Sequence, residues 1–222
     1  MGRMITLSPA QGTTIAAYRA DPQGTPRGGL VVIQEIFGVN SHIRSVCDGY
    51  AADGYLAVAP ALFDRIEPGV DIGYTPPDIA RGRDLRGKAN LDHALAYIAA
   101  ARDVAAEAGK VGVVGYCWGG YLAWMSAAHV PGLACAICYY GGGMHEAIGE
   151  QPGIPVLAHF GEKDSMIPVE GVKKLAAAHP AALVHLYAAD HGFNCDQRGS
   201  YDASSAKVAR ERSIAFLRKY VG

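Results

Sequence analysis

Short apolar runs recur along the chain, and segments with an apolar residue at every third or fourth position separate most of them. A continuously apolar run of four to eight residues favours a strand that is buried on both faces of a parallel sheet. The wider spacing favours a helix with one buried face. Together the two patterns predict strands at 30–34, 55–59, 111–114, 133–139, 156–160 and 182–187, and helices at about 41–52, 78–87, 89–108, 118–128, 168–179 and 200–220.

The alternation of strands and helices predicts a mainly parallel central sheet with helices on both faces, because parallel neighbours are joined by a crossover that is usually helical. The N-terminal region differs, since residues 5–7 and 13–18 have the pattern of an antiparallel hairpin with its turn at Gln11 and Gly12. Residues 60–77 are rich in Pro, Gly and Asp and predict a long loop. The length of 222 residues, without an internal repeat, favours a single domain over residues 1–222.

The charge balance excludes several classes of partner. Lys plus Arg number 20 and Asp plus Glu number 21, with no basic block, so we expect no nucleic acid partner. The N-terminus lacks the apolar core of a signal peptide, and no apolar run is long enough to cross a bilayer. We therefore expect a cytoplasmic protein without membrane contact, present as a monomer or a weak homodimer.

The use of cysteine and histidine argues against disulfides and metal sites. Five cysteines are an odd count for a chain of this size, which disfavours a disulfide framework. Cys135 and Cys138 form a C-x-x-C pattern inside an apolar strand, where side chains three residues apart point to opposite faces. The eight histidines show no H-x-x-x-H pair and no zinc-like spacing to cysteine. We expect no metal and no cofactor, and we interpret Cys135 and Cys138 as core residues.

Residues 110–128 contain the most informative motif of the chain. The strand at 111–114 leads into the sequence GYCWGG, with Cys117 between Gly115 and Gly119, and a helix follows. A nucleophile on a sharp strand-to-helix turn is the nucleophile elbow of α/β hydrolases, here with cysteine in the serine position. The helix directs free N–H groups and its positive dipole end at the turn, which favours a thiolate and an adjacent oxyanion. The alternative is an inert cysteine buried between a strand and a helix.

Further reactive residues follow the predicted strands at their carboxyl ends, where parallel sheets carry functional groups. They are Glu35, Tyr140, Asp164 and His191. The chain order nucleophile, acid, histidine is that of α/β hydrolases, and it predicts a triad of Cys117, Asp164 and His191. In such a triad the histidine accepts the thiol proton and the carboxylate fixes the histidine tautomer. Asp190 competes as the acid, but it adjoins His191 in sequence and would reach the imidazole poorly.

Taken together, these motifs resemble the dienelactone hydrolases, also called carboxymethylenebutenolidases. The resemblance covers nearly the whole chain and rests on the blocks 34–38, 115–120, 139–141, 161–164 and 191–193. It implies an α/β-hydrolase fold and cleavage of an ester or lactone through a thioester on the triad described above. It also implies that Glu35 hydrogen-bonds the resting thiol and helps to form the thiolate, and that the N–H groups of Ile36 and Trp118 form the oxyanion hole.

The resemblance is incomplete at the residues that would bind the substrate. Dienelactone hydrolases hold the substrate carboxylate with two arginines. Arg81 or Arg83 matches the first of these, whereas Cys195 stands at the expected position of the second. The next arginine is Arg198, which we expect to add a weaker contact, and we expect Tyr140 to line the site.

Three hypotheses for the function follow. The leading one is a hydrolase for a small, anionic ester or lactone. The second is a generalist carboxylesterase for neutral esters, which the missing arginine favours. The third is a non-hydrolytic protein in which Cys117 is a redox or binding thiol. Asp164 and His191 argue against the third hypothesis, since a sensor thiol needs neither of them.

Overall fold

The computed structural model describes residues 2–9 and 13–222, and its centre is one eight-stranded sheet. The strands in chain order are β1 (Arg3–Leu7), β2 (Ile15–Ala20), β3 (Gly28–Ile33), β4 (Tyr55–Pro60), β5 (Val111–Tyr116), β6 (Leu133–Tyr139), β7 (Val156–Gly161) and β8 (Leu183–Tyr187). Within the sheet they lie in the order β1-β2-β4-β3-β5-β6-β7-β8. The turn predicted at Gln11 and Gly12 lies outside the described residues.

The prediction of a mainly parallel sheet is confirmed. β2 pairs antiparallel with both β1 and β4, and every other neighbouring pair is parallel. Helices form the crossovers between consecutive parallel strands except from β6 to β7, which residues 140–155 join without a helix, and a last helix follows β8. The helices are α1 (Ser41–Ala52), α2 (Pro76–Lys88), α3 (Leu91–Ala105), α4 (Trp118–His129), α5 (Val169–Ala178) and α6 (Ala203–Tyr220).

The central strands are buried along their whole length, which explains their continuous apolar pattern. Every residue of β3, β4, β5 and β7 is buried. Because successive side chains of a strand point to opposite faces, this burial requires helices on both faces of the sheet. α3 and α4 pack against each other on one face, and on the other Arg210 of α6 pairs with Asp53 at the end of α1. Cys135 and Cys138 of β6 are fully buried, in agreement with their interpretation as core residues.

Side-chain caps set the helix boundaries that the apolar pattern predicts only roughly. α2 starts before the predicted residue 78, because Thr75 and Asp78 form a capping box at its N-terminus. α6 starts after the cap residue Asp202, later than predicted. The helix predicted at 89–108 is shorter, since it starts after the cap residue Asn90 and its last turn is a 3-10 turn at Ala106–Ala108.

The loop predicted at 60–77 folds back onto the segment that follows β3. Gly38 and Asp71 form an isolated antiparallel bridge. Gly38 has a φ of 79°, and a Cβ at this position would lie 1.9 Å from the carbonyl oxygen of Val70. The bridge therefore requires glycine, and it fixes the loop next to the carboxyl end of β3. Within residues 2–9 and 13–222, no helix is both long enough and apolar enough to cross a membrane.

Candidate active site

Cys117 lies in a strained turn between β5 and α4. Its φ is 56° and its ψ is −119°, a combination that residues with a side chain rarely adopt. The flanking glycines allow this turn. A Cβ on Gly115 would lie 1.8 Å from the carbonyl oxygen of Gly119, and a Cβ on Gly119 would lie 2.5 Å from the carbonyl oxygens of Ile33 and Gln34. Strand and helix therefore approach closely enough to hold the thiol at the carboxyl edge of the sheet.

The imidazole of His191 lies between the side chains of Cys117 and Asp164. Its Nε2 is 3.1 Å from Cys117 Sγ, and its Nδ1 is 2.7 Å from Asp164 Oδ2. The three residues follow β5, β7 and β8 in the chain, so they meet at the same edge of the sheet. When the Asp164 carboxylate accepts the Nδ1–H, Nε2 is the ring nitrogen that can accept the thiol proton.

The charges around His191 favour its protonated form. Burial lowers the pKa of His191, but the Cys117 thiolate and the hydrogen-bonded Asp164 carboxylate outweigh burial and raise the pKa to about 10. Once the thiol proton has been transferred, the imidazolium can therefore stabilise the thiolate, which is the nucleophilic form of cysteine.

The two acidic residues that compete for the role of the triad acid have different contacts. Asp164 reaches the imidazole through Oδ2, while its Oδ1 accepts the backbone N–H of Met166 at 2.8 Å, which fixes the carboxylate. Asp190 instead accepts the backbone N–H of His191 at 2.6 Å. Asp164 is therefore the carboxylate at the ring, and Asp190 shapes the loop that carries the histidine.

Glu35 is paired with an arginine. Its carboxylate is 1% exposed, and Oε1 accepts a hydrogen bond from Arg198 Nη1 at 3.3 Å. The Arg198 guanidinium also lies 5.8 Å from the ring centroids of Phe37 and Tyr74. Burial lowers the pKa of Arg198, and the Glu35 carboxylate is the largest of the contributions that outweigh burial and raise it. Within the described residues no hydrogen bond joins Glu35 to Cys117, so the contact expected between Glu35 and the resting thiol is not observed.

The backbone N–H groups of Ile36 and Trp118 are the predicted donors to an oxyanion beside the nucleophile. Ile36 and Trp118 both line the cavity that contains Cys117. Trp118 is the first residue of α4, where N–H groups have no partner within the helix. In the part of the chain that the structure describes, neither N–H donates to a backbone carbonyl. Such groups can stabilise negative charge that develops beside the sulfur.

The nucleophile opens into a cavity of about 300 Å³, a size that suits a small molecule. One part of its wall is apolar and consists of Ile36, Phe37, Ile79, Trp118 and Met166. The charged and polar side chains of the wall are Arg83, Arg86, His145, Glu146 and Arg198. Three guanidinium groups and one carboxylate therefore give this cavity a positive balance.

Helix geometry decides which arginines of α2 reach the cavity. Arg83 and Arg86 follow the cavity residue Ile79 at intervals of four and three, so the three share one face of the helix. Arg81 lies on a different face, where it is exposed and pairs with Glu67 outside the cavity. The substrate contact expected for Arg81 therefore has no support in the geometry. Arg86 is absent from the predicted site residues, although its helical spacing from Arg83 is a usable signal.

The other two predicted substrate residues also differ from expectation. The expected contact of Arg198 is a weak one, but its side chain is only 17% exposed, and it lines the cavity beside Glu35. Tyr140 is fully buried, with its ring centroid 5.2 Å from that of His191. It packs against the imidazole and is not among the residues that line the cavity. Sequence reasoning misses His145, Glu146 and Met166 because they lie in loops that carry no motif.

Comparisons with known proteins agree with this arrangement. The sequence profile of the Dienelactone hydrolase family matches residues 15–221. A protein of Synechocystis sp. that is provisionally named carboxymethylenebutenolidase is 37% identical over 232 residues, which cover 94% of this chain and 93% of that protein. A protein of Escherichia coli with the same provisional name is 35% identical, and the alignment covers 98% of this chain and 87% of that protein.

Solved structures show the same fold. The crystal structure of a provisionally named dienelactone hydrolase from Klebsiella pneumoniae has a TM-score of 0.86 at 32% identity, and the match covers 99% of this chain and 100% of that one. A dienelactone hydrolase-like promiscuous phosphotriesterase from metagenomic libraries has a TM-score of 0.80 at 20% identity, with coverage of 100% and 99%. At this identity the second likeness supports the fold alone.

Proposed function

The chain belongs to the dienelactone hydrolase family of carboxylic ester hydrolases, and on that premise we propose that it cleaves an ester or lactone bond of a small anionic substrate through Cys117, His191 and Asp164. The observation that carries this proposal is the continuous series of contacts from Asp164 through His191 to Cys117, at 2.7 and 3.1 Å, beside a cavity of small-molecule size.

The first half of the reaction forms a thioester. A free thiol, with a pKa of about 8.5, is largely protonated near neutral pH, so His191 accepts its proton. The thiolate attacks the carbonyl carbon, and the N–H groups of Ile36 and Trp118 stabilise the oxyanion that results. When the tetrahedral intermediate collapses, the bond to the leaving oxygen breaks and His191 donates its proton to that oxygen. Asp164 stabilises the imidazolium in the meantime.

The second half releases the acid. A water molecule gives one proton to His191 while its oxygen attacks the thioester carbonyl. The second oxyanion uses the same two N–H groups. Its collapse breaks the bond to sulfur, the sulfur regains a proton from His191, and the carboxylic acid leaves. Each residue thus returns to its starting state.

Glu35 and Arg198 link this chemistry to substrate binding. A substrate carboxylate at the Arg198 guanidinium competes with Glu35 for the same hydrogen-bond donors. The displaced Glu35 carboxylate then moves toward Cys117, accepts a hydrogen bond from the thiol and passes its proton on to His191, so that the thiolate forms beside the imidazolium. Before that point Glu35 stays paired with Arg198, which limits thiolate formation and protects the sulfur from oxidation. Activation of this kind requires an anionic group on the substrate.

The arginines of the cavity support an anionic substrate. Arg83, Arg86 and Arg198 line the cavity, and a planar guanidinium binds a carboxylate through two parallel hydrogen bonds. Arg198 is the strongest of the three candidates, because its half-buried position reduces screening by solvent. The second candidate function is a generalist esterase for neutral esters. The apolar wall around Ile79, Trp118 and Met166 favours it.

The experiment that tests the substrate class compares kcat/KM for an anionic lactone and for its neutral methyl ester. Arg198→Lys keeps the charge beside Glu35 but loses the paired hydrogen bonds, so we expect it to lose about 1.5–3 kcal/mol of preference for the anion. Arg83→Ala and Arg86→Ala should lose less of the preference for the anion, since both side chains are exposed. Arg81→Ala is the matched control from the same helix and should keep the whole preference. Equal losses on both substrates would favour the generalist esterase.

A further inference from the structure

Three potential metal ligands from separate segments meet behind the substrate cavity. Glu35 follows β3, His42 lies in α1, and Cys195 lies in the loop after His191. One carboxylate oxygen, one ring nitrogen and the sulfur of these residues lie within 4.8 Å of one another, and all three residues are buried. We call Glu35, His42 and Cys195 the Glu35 cluster. Sequence spacing could not reveal it, because its members are far apart in the chain.

Two atoms of the Glu35 cluster have no protein partner. Glu35 Oε2 and His42 Nε2 are both buried and make no hydrogen bond within the described residues. Their residues are 1% and 3% exposed. Leaving a buried polar atom unpaired costs about 1–3 kcal/mol, and more for a charged group. Because buried polar atoms in native proteins nearly always have a partner, these two atoms point to a bound ligand.

The remaining atoms of the same side chains are held in the way that is typical of metal ligands. His42 Nδ1 lies 3.3 Å from Asp196 Oδ1. A carboxylate that accepts the Nδ1–H of a histidine leaves the lone pair on Nε2, and metal-binding histidines usually have such a partner. Glu35 Oε1 is held by Arg198 in a comparable way, which leaves Oε2. The Glu35 cluster therefore offers one nitrogen, one oxygen and one sulfur.

We propose that the Glu35 cluster binds one zinc ion. Zinc accepts thiolate, imidazole and carboxylate ligands, whereas magnesium and calcium prefer oxygen. Three protein ligands leave a fourth position for water. Tetrahedral zinc with bonds of about 2.0–2.3 Å holds its ligand atoms roughly 3–4 Å apart. The three donor atoms, which lie within 4.8 Å of one another, therefore have to approach each other only slightly.

Zinc has to displace the proton of the Cys195 thiol. The bound sulfur is a thiolate, so zinc binding releases this proton to solvent. Access does not require the substrate cavity, since His42 and Asp196 line a separate cavity of about 310 Å³ between α1 and α6.

The consequence for activity rests on the proposed function of Glu35. A carboxylate bound to zinc cannot move toward Cys117, so zinc should lower kcat reversibly. The effect should remain at saturating substrate, because the substrate carboxylate binds at Arg198 and does not occupy the zinc position.

The direct test measures zinc binding by equilibrium dialysis of the full chain. The Cys117→Ser background removes the catalytic thiol as a competing ligand. We expect one zinc ion per chain, and at least tenfold weaker binding in His42→Gln and in Cys195→Ala. Cys138→Ala is the matched control, a buried cysteine outside the Glu35 cluster, and should bind zinc as the background does. With Co²⁺ as the probe, we expect a thiolate-to-cobalt absorption band that Cys195→Ala abolishes and Cys138→Ala retains.

If the variants of the buried residues His42 and Cys195 do not fold, a variant of an exposed residue can still test zinc binding. Asp196 is exposed, and Asp196→Asn should weaken zinc binding by about 10–100-fold, the range for partners of metal ligands. Less than stoichiometric binding, or full binding in Cys195→Ala and His42→Gln, would overturn the zinc site. Zinc binding by a wild type that hydrolyses no ester or lactone would leave the site standing and refute the proposed function instead. Zinc binding that leaves kcat unchanged would refute the coupling through Glu35.

Discussion

The triad and the Glu35 cluster are neighbours in the fold, but they differ in how completely their polar atoms are paired. In the triad, His191 uses both ring nitrogens and Asp164 uses both carboxylate oxygens. In the Glu35 cluster, Glu35 Oε2 and His42 Nε2 have no partner among the described residues. One region is a closed series of hydrogen bonds, and the other is half paired.

The difference indicates which groups move during the reaction. A fully paired series has one favourable geometry, which suits a nucleophile and base that must stay aligned through two chemical steps. A half-paired carboxylate can exchange partners at little cost, which suits a group that responds to the substrate or to a metal ion. Substitutions in the two regions should therefore have effects of different size and kind.

The largest effect on kcat is expected when a hydrogen bond of the triad is removed. Asp164→Asn should reduce kcat by several orders of magnitude, because the amide no longer fixes the histidine tautomer; the equivalent change in a serine protease lowers kcat by about 10⁴-fold. Asp190→Asn is the matched control and should have a modest effect, since the hydrogen bond that the Asp190 carboxylate accepts comes from the backbone of the loop and not from the imidazole. The measurement is kcat for both variants, and the reverse ranking would show that Asp190 is the triad acid.

A smaller effect on kcat is expected when Glu35, the carboxylate that changes partners, is substituted. Glu35→Gln should reduce kcat by about 10²-fold while KM stays similar, because Glu35 promotes the thiolate but is not the base that completes the reaction. Steady-state kinetics with separate kcat and KM values checks this expectation. A raised KM with an unchanged kcat would mean that Glu35 only positions Arg198 for substrate binding.

The smallest effect concerns a titration within the triad. Burial lowers the pKa of His191, and the Cys117 thiolate is the largest of the contributions that instead raise it to about 10. In Cys117→Ala, burial still lowers this pKa and only Asp164 raises it, so the pKa should fall. Histidine proton resonances followed through a pH titration measure the change. An unaltered pKa would show that Cys117 and His191 are not coupled electrostatically.

The sequence predicts the fold well where burial controls it. The strands around Val113 and Val58 are buried on both faces, so their continuous apolar composition is itself the evidence for a covered parallel sheet. Helix starts are predicted less accurately, because they depend on single side chains such as Thr75 and Asp202. The nucleophile elbow is visible in the sequence because the close approach at Gly115 excludes any side chain.

The substrate and metal residues are harder to predict because they depend on contacts between distant segments. Arg81 and Arg83 lie two residues apart, and the sequence alone does not distinguish their roles. Because they lie on different faces of α2, Arg81 pairs with Glu67 and Arg83 lines the cavity. The pairing of Glu35 with Arg198 joins residues that are 163 positions apart, and no local pattern encodes it. The same limit applies to Cys195. In the sequence it is noticeable only because it occupies the position where an arginine is expected, and its proximity to His42 is visible only in the structure.

The most direct test of the proposed chemistry is to trap the covalent intermediate. The wild-type protein is mixed with an activated aryl ester that carries a carboxylate, quenched in acid during the first turnovers, and analysed by peptide mass spectrometry. We expect one acyl group on the peptide that contains Cys117, released by neutral hydroxylamine as is typical of a thioester, and no acyl group in Cys117→Ala. Turnover without an acyl group on Cys117, or an acyl group on another residue, would contradict the thioester mechanism.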